Sequence, residues 1–69
     1  MVSVVKIIEL IGESPKSWEE ACNSALGVAA KSLRGIVGID VVKFSCKVED
    51  NKITAFRANV HVAFKYESE

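Results

Sequence analysis

The sequence predicts an α+β fold in the order β-α-β-β: a three-stranded antiparallel sheet, its long third strand central, wrapped around one helix. Three observations predict it. From Ile53 to Tyr66 polar and apolar residues alternate with period two and without Gly or Pro, as in a sheet with one apolar face. After Ser17 the apolar residues recur every three to four positions, the period of a helix. Only the polar turn Glu49-Asp50-Asn51-Lys52 separates the second strand from the third, which makes that pair a hairpin.

The first strand is read from Val2 to Ile11. Its two faces, Val5, Ile7 and Ile11 against Val4, Ile8 and Leu10, are both apolar, as suits a strand covered on both sides. Gly12 is expected to end it. Glu13 to Ser17 forms the turn, with Pro15 a suitable first helical residue after Ser14. Ser17 with Glu20 three positions on reads as a capping box and as the start of regular helix. Trp18, Ala21, Cys22, Ala25, Ala29 and Leu33 form the apolar stripe, and its alanines allow close approach to the sheet. Acid at the start, and Lys31 and Arg34 at the end, match the helix dipole. Gly35 marks the C-cap.

The second strand is read from Ile36 to Val48. Val42, Phe44, Cys46 and Val48 share one face; Lys43, Ser45 and Lys47 share the other. Gly38 predicts a bulge or a close backbone approach near its start. In the third strand Phe56, Ala58, Val60, Val62, Phe64 and Tyr66 share the apolar face, with Arg57, Asn59 and His61 behind them. A right-handed crossover leaves the first two strands parallel. Placing the third between them pairs both of its edges.

Residues 1–69 make one domain. At this size a single core is marginal unless something staples it. The third strand alone would run more than ~40 Å at ~3.3 Å per residue, too much apolar strand for so small a body to cover. Cys22 and Cys46 are too few for a disulfide scaffold and read as small buried hydrophobes of a reducing compartment. Self-association is left as the staple, in keeping with a composition that is 49% hydrophobic. Nine basic and nine acidic residues balance, so no net field draws in nucleic acid or a membrane. The apolar start is too short for a membrane span and lacks a basic n-region and a cleavage site. A cytoplasmic protein is expected.

The chemical inventory points away from an enzyme. One histidine, His61, sits between two valines on a regular strand, a poor place for a nucleophile's partner. It reads as a sheet or subunit contact. No set of His or Cys metal ligands exists in the sequence, and no phosphate-binding glycine loop. Glu9, Asp40, Glu49 and Asp50 are scattered along the chain, so no metal site is assigned, although symmetry axes could multiply any one of them. Trp18, at the head of the helical stripe, reads as a packing residue. What remains is the polar face of Arg57, Asn59, His61, Lys43, Ser45 and Lys47, which offers donors and positive charge to a pocket between subunits.

The opening V-V-K-I-I-E-L-I-G-E-S-P-K-S-W-E-E-A, the stretch A-A-K-S-L-R and the ending V-H-V-A-F-K-Y-E carry a resemblance over nearly the whole chain. In them the sequence resembles the dodecin family. The resemblance implies a hollow homododecamer of cubic symmetry that binds flavins such as riboflavin or FMN in stacked pairs at subunit junctions, as a non-catalytic storage protein. Two positions depart from the flavin-binding pattern. The family's stacking tryptophan, in D-W-F-E-V, maps onto Gly38 in V-G-I-D-V. Its flavin-bonding glutamine maps onto Arg57, which has donors only. Both changes weaken the family's usual mode. Ser45, on the matching face of the second strand, is included in the candidate binding site. Lys6, Arg34 and Lys65 fall where some members carry basic residues that hold coenzyme A. The motif S-P-x-S-W-E, the missing tryptophan and Arg57 are similar to a subgroup associated with calcium, so a flavin-free shell binding cations or anionic metabolites is the alternative.

Overall fold

The computed structural model of the chain describes residues 4–66. Its elements are β1 (Val5–Ser14), α1 (Trp18–Ser32), β2 (Ile36–Glu49) and β3 (Lys52–Lys65). They form one sheet in the order β1-β3-β2, and both pairings are antiparallel. The third strand is therefore central with both edges paired, as expected, although β2 is equally long at 14 residues, and α1 lies on one face of the sheet.

The hairpin between β2 and β3 is tight because Asp50 and Asn51 adopt φ of 52° and 62°. Two left-handed residues give the turn whose twist matches its strands, and Asp and Asn tolerate that conformation better than most side chains. Ser17 caps α1, its hydroxyl accepting from the Glu20 amide at 3.0 Å. Glu20 does not complete a reciprocal box among the described contacts; its carboxylate accepts instead from the Ser14 hydroxyl at 3.0 Å. Past Leu33, whose amide donates to the Ala29 carbonyl at 2.9 Å, the chain reverses at Gly35 with φ of 71°. That is the C-terminal glycine signal of the sequence.

The first strand corrects the sequence reading. Gly12 does not end it; β1 continues through Glu13 to Ser14. The proposed start at Val2 lies outside the described residues. Gly12 is there because the helix comes so near: a Cβ built on it would sit 1.9 Å from the Ala21 carbonyl oxygen. Close contact follows from the helical stripe, whose buried members are Ala21, Ala25 and Ala29. They pack on Ala58, Val60 and Val62 of β3.

The face assignments on β3 hold, with Ala58, Val60 and Val62 buried toward α1. On β2 they hold in part. Register shifts follow Ile36 and Val41, so Val37 and Val42 are the extra residues of two bulges. Phe44 and Cys46 face the helix side as expected, opposite Ala58 and Phe56. Val41, not Val42, joins them there, opposite Val60. Val48 pairs with Ile53 beyond a further shift. Cys22 and Cys46 are free and half-buried rather than fully buried.

This core is thin. Val60 and Val62 are the only large side chains fully buried among the described residues. The molecule measures 53 × 20 × 14 Å, with a radius of gyration of 14.2 Å; a compact chain of this length has about 11 Å. It exposes 5339 Å², against roughly 4,200 Å² for a compact monomer of its mass. Ile7 and Ile11 of β1 and Phe44 of β2 are more than half exposed.

Candidate functional site

Cross-strand register decides which residues share the sheet face turned away from α1. Residues opposite one another in an antiparallel pair project to the same side. In the hairpin half, Arg57 of β3 lies between Glu13 of β1 and Ser45 of β2. Asn59 lies between Ile11 and Lys43, His61 between Glu9 and Asp40, and Ala63 between Ile7 and Gly38. The polar face read from the sequence is thus one surface, and the Val42 bulge brings Lys43 and Ser45 into line with Asn59 and Arg57.

Arg57 does not present a free guanidinium. Its Nε donates to Glu13 Oε2 at 2.7 Å, with both side chains nearly half exposed. The hydrogen bond from Arg57 holds the Glu13 carboxyl below its ordinary pKa, and the charges of Arg57 and Lys47 act in the same direction. Glu13 was legible only as a turn residue. The signal that finds it is the continued alternation of Glu9, Ile11 and Glu13, which the glycine between them masks. Beside this pair, Asn59 Oδ1 is buried and accepts no hydrogen bond from the described residues.

Ser45 is positioned from the helix side. Trp18 packs against Phe44 and Phe56, with ring centroids 5.4 and 5.2 Å away. Its indole Nε1 donates to the Ser45 carbonyl at 3.1 Å. Trp18 is therefore the packing residue expected, and it ties the start of α1 to the strand that carries Ser45.

His61 Nε2 stands 3.8 Å from Glu9 Oε2, with Asp40 opposite on its other side. The acids scattered in sequence are in part gathered here. Even so, no three His, Cys, Asp or Glu side chains among the described residues are arranged to hold a metal ion.

Gly38 follows the first bulge of β2, and a Cβ on it would meet nothing within 4 Å. The site residues read from the sequence are not all brought together. Gly38 stands opposite Ala63, six positions along β3 from Arg57, a separation of about 20 Å at ~3.3 Å per residue. Lys6, Arg34 and Lys65 gather at the Gly38 end, where the Lys65 amide donates to the Gly35 carbonyl at 3.0 Å. Lys6 and Lys65 project to opposite faces, since Lys6 is opposite Phe64 and Lys65 opposite Val5. The Lys6 ammonium instead lies 4.9 Å above the Tyr66 ring. One protomer therefore does not grip a single phosphate with all three. No helix among the described residues is long and apolar enough to cross a membrane.

The family model described as Dodecin matches residues 4–67. The calcium dodecin of Mycobacterium tuberculosis is 34% identical over 64 residues, which cover 93% of this chain and 90% of that protein. A crystal structure of calcium dodecin from that organism, described as calcium chelating with a novel calcium-binding site, matches with TM-score 0.82 and 36% identity over 94% of this chain and 93% of that one. A point variant of the Thermus thermophilus dodecin matches with TM-score 0.93 and 26% identity, covering 99% and 100% of the two chains. The dodecin of Streptomyces coelicolor shares the fold at 21% identity, TM-score 0.92, over 97% of this chain and 96% of its own.

Proposed function

The chain belongs to the dodecin family, and from that premise we propose that it is a non-catalytic small-molecule binding and storage protein, working as a hollow homododecamer whose ligand sits between subunits. One observation carries the reading. Gly38 and Arg57 lie on the same uncovered face about 20 Å apart along β3, so a small ligand that touches both positions needs two copies of the chain. The surface in excess of a compact monomer and the exposed Ile7 and Ile11 supply what such copies would bury. The ligand class is a planar flavin, riboflavin or FMN. It is held less tightly than in relatives with a stacking aromatic, because a hydrogen atom at Gly38 replaces an aromatic surface worth ~1–3 kcal/mol per ring.

A second reading rests on the relative's name. A cation-binding shell would follow the calcium dodecin of M. tuberculosis, and Glu9 and Asp40 around His61 are the acids that symmetry could multiply.

Native mass of the purified protein and quenching of riboflavin fluorescence test the first reading together. A twelve-chain mass is expected, with weak quenching that tightens at least about tenfold in Gly38→Trp, as restored stacking of ~1.4 kcal/mol or more requires. A monomer, or a Gly38→Trp variant still indifferent to flavin, would overturn it. Melting that falls on adding a calcium chelator would favour the cation shell instead.

A further inference from the structure

We propose that Glu13 sets the ligand specificity of the Arg57 face: its carboxylate pairs with the guanidinium through Nε, so a neutral ligand meets no opposing charge whereas a phosphate-bearing one must compete with that carboxylate. The inference rests on the reading of that face as the ligand surface. It names the charge class the face selects and the residue that does the selecting.

Three features of the row carry it. First, the contact is direct, Arg57 Nε to Glu13 Oε2 at 2.7 Å, so it engages one donor of the fork that grips an anion bidentately and sets a carboxylate charge beside the rest. Second, the pair is accessible, with the two side chains 43% and 47% exposed. A buried pair would be locked by the cost of stranding either charge; an exposed one is weakly held and exchanges with a competing anion. Third, Glu13 is the carboxylate of the Arg57 row, the other acids of this face lying beside His61 and beyond Lys47. Lys47 reaches it electrostatically from β2, and Lys43 stands opposite Asn59. Lys47 is itself only loosely engaged, 3.7 Å from Glu49. Removing the Glu13 charge leaves Arg57 and the two lysines around Ser45 with no carboxylate on the Arg57 row.

The test is a double-mutant cycle with inorganic phosphate as the probe, followed by calorimetry on the assembled protein, for wild type, Glu13→Gln, Arg57→Gln and the double variant. Glutamine keeps the shape of Glu13, and loss of an exposed pair leaves the fold intact. Phosphate affinity is expected to rise about fivefold in Glu13→Gln, and the gain should vanish when Arg57 is also replaced. An affinity unchanged by Glu13→Gln overturns the proposal, as does a gain that survives without Arg57, since the effect would then be one of net charge. So does an absence of phosphate binding in both wild type and Glu13→Gln. Riboflavin and FMN form the second arm: Glu13→Gln should improve FMN relative to riboflavin by a similar factor. A protein that quenches neither flavin refutes the flavin reading, while the phosphate cycle still decides the role of Glu13.

Discussion

The two faces of β3 differ more than any other two regions of the molecule, although their residues alternate along one strand. On the side toward α1, Ala58, Val60 and Val62 are closed off by an alanine stripe. The fit is tight enough to require a glycine at position 12. On the other side Arg57, Asn59 and His61 stand among charged and apolar neighbours, and no second layer among the described residues covers them. The first face is finished within the protomer. The second combines ion pairs that water can reach with exposed isoleucines, a mixture suited to partner copies and ligand rather than to solvent. Stability and function are thus divided by the pleat, one residue apart.

Aspartate placed on either side of that pleat gives the largest contrast. Val60 is fully buried, so Val60→Asp strands a charge with no partner, a penalty of about 3–5 kcal/mol or more in a domain whose whole stability is of that order. No cooperative thermal transition is expected by circular dichroism. Ser45→Asp, on the exposed side and opposite Arg57, should shift stability by less than about 1 kcal/mol. Similar melting of the two variants would sink the distinction between the faces. Next in size is Gly12→Ala. The added methyl meets the Ala21 backbone oxygen, which cannot rotate aside, so the helix must lift from β1. Overpacking of this kind costs about 1–3 kcal/mol or more, read as a drop in the denaturant midpoint. An unchanged midpoint would mean that α1 has slack against the sheet.

The difference between the faces also explains what could be read in advance. Element order, the central place of β3, the Ser17 cap and the Gly35 reversal rest on local patterns, and each was legible. Of the two readings of Gly38, the bulge is found and the close backbone approach is not, since a Cβ there meets nothing within 4 Å. The extent of β1 was not legible. Gly12 looks like a strand end by composition, and only the proximity of Ala21, nine residues on and across the turn, reveals that it is a packing requirement. The slip at Val42 was hidden as well, since unbroken alternation is the default and a bulge adds a residue without a breaker. For the site, Arg57 and Ser45 could be placed on one face from period alone. Glu13 could not, because its role depends on strand pairing 44 positions away. Nor could the separation of Lys6 from Lys65, which is a matter of pleat rather than of sequence distance.

The smallest effect expected is also the most specific to the open face, and it appears in acid. Arg57 holds the Glu13 carboxyl below its ordinary value near 4.5. A carboxyl whose pKa is depressed by folding adds stability above the unfolded value, and that stability is lost as pH falls through the lower folded value. The melting temperature of wild type should therefore exceed that of Glu13→Gln slightly at neutral pH, and the two should converge as the solution is taken below about pH 4. Because the pair is exposed, salt should shrink the neutral-pH difference as well. A gap that widened on acidification would have the wrong sign for a carboxylate paired in the folded state. It would place the stabilising partner of Arg57 elsewhere than Glu13.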